Sequence, residues 1–288
     1  MILLSLILAH LVGDFYLQTD EMAKTKEKSL RKHIFHHFIC LLFVTMAYWF
    51  SQSETKDFFH HVCFPLLFIL FFHYLIDCLK IISSKANNIR KMIGEYVEAK
   101  LLLLDQALHV VVIIIACSFF YNIPIDVLLK KLNMLIRTDT TLGTLNILLF
   151  LMIILILATT FSGLVIKKVV GNLPNHISTF EGKLSFKMAE NNKETSRKPK
   201  MTEEYHYTLY NINSYNRGEI IGYIERIIVI ILTYYSAYPA IGFIIAAKSI
   251  ARFKLMEERA WAEYFLLGTL LSMLIGISLG VITRIVLT

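Results

Sequence analysis

The chain has 288 residues, of which 56% are hydrophobic and only 18% charged. Its mean hydropathy is +0.59. That balance excludes an ordinary soluble domain and a disordered chain, and points to a polytopic membrane protein. The net charge of +7 reflects loop topology and a fit to anionic lipid headgroups, not nucleic-acid binding.

In chain order, apolar runs recur at 1–19, 34–51, 62–82, 99–120, 142–166, 219–238, 239–251 and 261–283. Most approach the ~20 residues that cross a hydrocarbon core. The fold class expected is all-α: a transmembrane helix bundle of seven or eight membrane segments with one long cytoplasmic loop. The run 239–251 is short for a crossing, so its depth stays open. The first run carries an acid and a histidine and lacks a basic leader, so it reads as a retained helix and not as a secretory signal. Cys40, Cys63, Cys78 and Cys117 are scattered, with no C-x-x-C pair, and indicate neither a disulfide framework nor a zinc knuckle.

Four regions follow: 1–120 with the N-terminal helices, 121–171 with an outer loop and the fifth membrane helix, the polar loop 172–217, and the C-terminal helices of 218–288. Lys and Arg set the orientation. They crowd 20–32, 83–99 and 172–217, which are expected in the cytoplasm, and are sparser at 52–61 and 121–141, which are expected outside. Both termini then face outward. The loop 172–217 is Asn- and Lys-rich without clear periodicity, and leaves room for a soluble partner. The bilayer is the other expected partner, and the oligomeric state stays open.

Against this apolar background the polar pattern is specific. His10, Asp14 and Gln18 occupy HLVGDFYLQ four residues apart, which places them on one helical face. His73 and Asp77 repeat the spacing in FHYLID, Asp105 and His109 in LDQALH, and His33 and His37 add a fourth such face. By the inferred orientation each lies in the cytoplasmic half of its segment. Glu225 and Arg226, Lys248 and Arg252, and Glu263 fall at a similar level, so one inward-facing polar bowl is expected to collect them.

Ionisable groups cost ~2.5–3.5 kcal/mol each near a bilayer centre on insertion scales, and so pair, bind something or face water. Imidazole with carboxylate suits a divalent metal such as zinc, manganese or iron. The expected ligands are His10, Asp14, His37, His73, Asp77, Asp105 and His109. Asp14, Asp77 and Asp105 would also serve catalysis, Gln18 would position a substrate headgroup, and Glu225, Lys248, Arg252 and Glu263 would form a charged surround. The alternative for each pair is an interhelical hydrogen bond, worth about 0.6 kcal/mol in membranes. No H-E-x-x-H, Walker A or G-x-S-x-G motif is present. Glycines such as Gly143, Gly163, Gly171 and those of the final run read as helix-packing or boundary residues.

The blocks HLVGDFYLQTDEMAKTK, HIFHH, HYLIDCLK, LLDQALH, IGYIERIIVI, AIGFIIAAKSIARFK and AEYFLLGTLLS resemble the bacterial membrane family named domain of unknown function 3307, over about 1–120 and 218–280. The resemblance implies a polytopic bacterial inner-membrane protein and assigns no activity. Membrane-bound metal-dependent hydrolases also set His and Asp on membrane helices, an analogy of chemistry alone. The leading expectation is a membrane-embedded, metal-dependent hydrolase acting from the cytoplasmic leaflet on a lipid or membrane peptide. The alternatives are a proton- or metal-ion-coupled transporter, and a non-enzymatic membrane scaffold or effector.

Overall fold

The computed structural model describes residues 1–19, 21, 22, 25–52, 57–86, 93, 94, 96–124, 143–171, 217–253 and 259–288. The polar connection expected at 172–217 lies, up to 216, outside the described residues, as does most of the outer connection 121–141. Every regular element among the described residues is helical. In chain order they are α1 (Ile2–Phe15), α2 (Lys26–Ser51), α3 (Phe59–Lys85), α4 (Val97–Phe120), α5 (Thr144–Val170), α6 (Arg217–Tyr234), α7 (Tyr238–Ala251) and α8 (Arg259–Leu287). Each apolar run of the sequence falls on one of them.

Five helices, α2, α3, α4, α5 and α8, are long and apolar enough to cross a membrane. α1 and α7 are apolar but have only 14 residues each, about 21 Å at 1.5 Å per residue. The distribution of side chains is that of a membrane protein. Phe35, Ile39 and Phe43 are exposed along one face of α2, as are Phe64, Leu67 and Phe71 on α3, while histidines and aspartates fill the interior. Large exposed apolar faces of this kind suit contact with lipid.

Two groups of helices share α5. In the first, α1 packs on α2 and α4, α2 on α3, and α3 on α4. In the second, α6 packs on α8 and α7. α5 presents Ile153 and Ile156 to Leu11 of α1, and Ile154 and Ala158 to Ile230 of α6 and Leu279 of α8, so apolar contacts join the groups. Pairing of charged helix ends marks one end of the molecule: Glu27 of α2 with Lys85 of α3, and Glu98 of α4 with Lys168 of α5 at 3.0 Å.

Local chemistry explains several joints. Pro65 follows the π-helical opening Phe59–Cys63 of α3 and has no N–H to give the His61 carbonyl four residues back, which accepts instead from the Tyr121 hydroxyl at 2.9 Å. Between α6 and α7, Ser236 adopts φ 58°. Its N–H reaches Thr233 O at 3.0 Å and the Ala237 N–H reaches Leu232 O at 2.8 Å, a Schellman closure. On α8, a Cβ at Gly276 would come within 2.9 Å of Val229 Cγ1, and one at Gly280 within 2.6 Å of Thr233 Cβ. These two glycines of a GxxxG stripe therefore let α6 and α8 approach closely, the packing role expected for the glycines of the final run.

Candidate metal centre

The interior of α1–α4 is built in layers, each one helical turn deep. Leu6, Leu41, Ile69 and Ile113, one from each helix, form a buried apolar layer. Four residues along each helix come His10, His37, His73 and His109. A further four residues along come Asp14, His33, Asp77 and Asp105. The i,i+4 spacing read in the sequence is thus the vertical repeat of one stack, and antiparallel helices place its members level with one another.

The five histidines are each only 1–2% exposed, and Asp77 and Asp105 are 1% and 3% exposed. Ring centroids lie 3.9 Å apart for His37 and His73, 4.2 Å for His73 and His109, and 4.7 Å for His10 and His109. Asp14 Oδ1 is 3.0 Å from His37 Nε2, 3.3 Å from His33 Nε2 and 4.0 Å from His73 Nε2. His33 Nε2 is also 3.2 Å from His73 Nε2 and 3.4 Å from Asp77 Oδ2. Ligands about 2.0–2.1 Å from a tetrahedral ion stand about 3.3–3.4 Å from one another, and the separations here, 3.0 to 4.0 Å, lie around that value.

Three sets of donor atoms lie mutually within 4.8 Å: Asp14, His33, His37 and His73; His10, Asp14 and His109; and His73, Asp77 and His109. The tautomer of His109 is set for ligation. Its Nδ1 donates to the Asp105 carbonyl at 2.8 Å, which leaves Nε2 as the lone-pair nitrogen. That Nε2 and the Nε2 of His10 are buried without a hydrogen-bond partner.

Supporting contacts hold the donors. Gln106 Nε2 donates to Asp14 Oδ2 at 2.6 Å, and Lys80 Nζ donates to Asp105 Oδ2 at 2.5 Å. Gly13 lies directly against the His37 ring, whose Nε2 a Cβ would meet at 2.7 Å. Gln106, Lys80 and Gly13 were not among the expected site residues. A glutamine beside an aspartate and a lysine at a helix end carry no distinctive spacing, and the glycine of HLVGD reads as an ordinary packing residue.

All seven expected ligands and His33 are brought together. Gln18 is not on their face: α1 ends at Phe15 and Gln18 follows in a bend, so the helical face of the opening motif stops at Asp14. The contacts of Glu225, Lys248 and Arg252 lie within the C-terminal group. Glu225 of α6 pairs with Lys248 of α7 at 2.5 Å, Arg252 lies 5.6 Å over the Phe265 ring, and Glu263 is exposed on α8. Arg226, buried, donates to Ala158 O at 2.5 Å, Thr159 O at 3.3 Å and Ser272 Oγ at 3.2 Å. The first two acceptors belong to the π-helical turn Leu157–Phe161 of α5, whose altered bonding pattern suits extra donors.

No curated protein and no solved structure matches the chain. A family model does match, over residues 2–136, which takes in α1–α4 and every donor of the cluster but not the C-terminal blocks at 218–280 that also carried the resemblance. Through this segment the chain is similar to the family described as "Protein of unknown function (DUF3307)".

Proposed function

We propose that the protein is a membrane-embedded, metal-dependent hydrolase whose His/Asp centre works from the cytoplasmic leaflet on a lipid or a membrane peptide. The charged helix ends would face the cytoplasm and both termini the outside, with seven or eight segments in the bilayer. The observation that carries the reading is the convergence of five imidazoles and two carboxylates, Asp14 and Asp77, from four helices, with donor atoms within 4.8 Å in each set. A bound cation offsets the cost of burying carboxylates, holds imidazoles neutral, and lowers the pKa of a bound water so that it attacks at neutral pH. Zinc, manganese and iron all suit this donor set.

The apolar layer of Leu6, Leu41, Ile69 and Ile113 favours catalysis over transport. It closes one side of the histidine layer, whereas a transport path needs polar groups continued on both sides.

Metal analysis of the purified full-length chain tests the reading, alongside a His10→Ala/Asp77→Ala variant. Stoichiometric divalent metal is expected in the wild type and not in the variant, together with metal-dependent hydrolysis of a membrane substrate. Wild-type protein that binds no divalent metal refutes the proposal. Wild-type protein that instead moves protons or metal ions across proteoliposomes, with Asp14→Asn inactive, replaces it with the transporter.

A further inference from the structure

Asp105 of α4 is buried beside the centre yet belongs to none of the three donor sets. Its Oδ2 accepts from Lys80 Nζ of α3 at 2.5 Å, and the lysine side chain is 25% exposed. The same oxygen lies 3.3 Å from Gln106 Nε2, and that amide donates to Asp14 Oδ2 at 2.6 Å. An unbroken polar line thus runs from a partly exposed ammonium to the carboxylate common to two of the donor sets. On the far side of the histidines, the apolar layer of Leu6, Leu41, Ile69 and Ile113 continues no such line.

Two features set this line apart from an ion pair built for stability alone. Asp105 Oδ1 and Gln106 Oε1 are buried without a hydrogen-bond partner, although an unsatisfied buried acceptor is costly. Both are oxygens, the atoms that suit a divalent cation still keeping part of its water. The second feature is the residue that faces them. Lysine carries a compact ammonium on a flexible stem, so it leaves a carboxylate and returns without breaking a fixed fork of bonds. Lys80 stands three residues beyond Asp77, on the side of the aspartates away from the histidine layer, where α1 has ended at Phe15.

We infer that Lys80 and Asp105 form the entry of the centre, the Lys80 ammonium occupying the place that an incoming divalent cation takes on the Asp105 carboxylate before it passes to Asp14. The inference rests on the metal-dependent reading above. At rest the ammonium closes the line. The arriving cation, with twice the charge, displaces it, and the lysine carries its own charge out to solvent along its stem. The cation exchanges water for the oxygens of Asp105 and Gln106, and then for Asp14 Oδ1 with His37 and His33, whose Nε2 atoms lie 3.0 and 3.3 Å from that oxygen. Asp105 then takes back the ammonium. It serves each ion that enters and ligates none that is seated.

The experiment mixes chelator-stripped full-length protein in detergent with Co²⁺ by stopped flow and follows the absorbance that imidazole coordination gives the ion. Excess EDTA mixed with the loaded protein reads release. Lys80→Met is expected to speed entry and release alike, by about tenfold, because the same barrier is crossed in both directions, and so to leave the affinity unchanged. Lys80→Arg is expected to slow both, since a guanidinium fork grips both carboxylate oxygens, and it carries the test if Lys80→Met does not elute as a monodisperse protein. In Asp105→Asn the spectrum of bound Co²⁺ should match wild type, and adding Lys80→Met to that variant should change neither rate.

Wild-type rates in Lys80→Met, or a change in only one of the two, overturn the entry and leave the metal-dependent reading standing. Rates in Lys80→Arg equal to or above wild type do the same. An altered Co²⁺ spectrum in Asp105→Asn makes Asp105 a ligand of the seated ion, and acceleration by Lys80→Met without Asp105 removes the carboxylate from the path; either overturns the inference. Wild-type protein that takes up no Co²⁺ overturns this inference and the metal-dependent reading together.

Discussion

Gln106 of α4 donates its amide to Asp14 Oδ2 of α1 at 2.6 Å, across the interior of the bundle and between residues 92 positions apart in the chain. The contact fixes which way the Asp14 carboxylate turns. Partners of this kind, holding a ligand rather than ligating, typically change metal affinity about 10–100-fold. Gln106→Leu is therefore expected to weaken divalent-cation binding by about that factor while the chain still inserts and purifies. Competition with a fluorescent chelator measures it, and an affinity equal to wild type would show that Asp14 is oriented by other contacts.

Gly13 offers a test that removes no polar atom. Because a Cβ there would meet the His37 ring, at 2.7 Å from Nε2, Gly13→Ala must push the imidazole away from Asp14 or part α1 from α2. The expected result is a loss of cation affinity about as large as that of Gln106→Leu, again about 10–100-fold. Gly222→Ala in α6 serves as the control outside the first helix group, and its cation binding should match wild type.

Lys80 is about a quarter exposed where its partner Asp105 is 2% exposed. Removing one member of a buried pair leaves the other charge uncompensated, at a cost of about 3–5 kcal/mol when both are fully buried. With Lys80 partly in solvent, Lys80→Met is expected at or below the lower end, about 1–3 kcal/mol, seen as a lower melting temperature in detergent. Lys80→Arg should retain most of the stability. Equal melting temperatures for Lys80→Met and wild type would mean that Asp105 finds another partner.

Arg226 ties the π-helical turn of α5 to α8 through carbonyl oxygens and Ser272. Hydrogen bonds from a charged donor are worth about 1.5–3 kcal/mol. Arg226→Ala is therefore expected to lower thermal stability clearly, yet to leave cation stoichiometry unchanged, because none of the cluster donors lies on α5, α6 or α8. A variant that loses its cations while still folded would tie the two helix groups together energetically.

Much of the site was legible as spacing. His10 with Asp14, His73 with Asp77, Asp105 with His109, and His33 with His37 each stand one turn apart, and an apolar surround makes such residues conspicuous. Convergence was not legible, because it depends on antiparallel helices standing at matching depth and on Gly13 giving room to His37. The end of α1 at Phe15 was also hidden. The stretch Tyr16–Leu17 is as apolar as the helix before it, with neither proline nor glycine to mark a stop. The π-helical turn at Leu157–Phe161 has an unremarkable composition, so the carbonyl acceptors of Arg226 could not be read from the sequence. The charged C-terminal residues share a level with the cluster in the linear pattern, but their contacts form across α6, α7 and α8, pairings that only tertiary packing decides.

The layered stack also sets an order of events during biosynthesis. Asp14 emerges from the ribosome long before Gln106, and at about 5–20 residues per second the interval is on the order of 5–20 seconds. Until α4 arrives, the histidines and aspartates of the earlier helices have neither their full ligand sets nor the contacts that orient them. On the proposed metal-dependent reading, cation capture at full affinity is thus a late event, and a nascent chain missing one of the four helices would be distinguished from a completed one by its failure to retain metal.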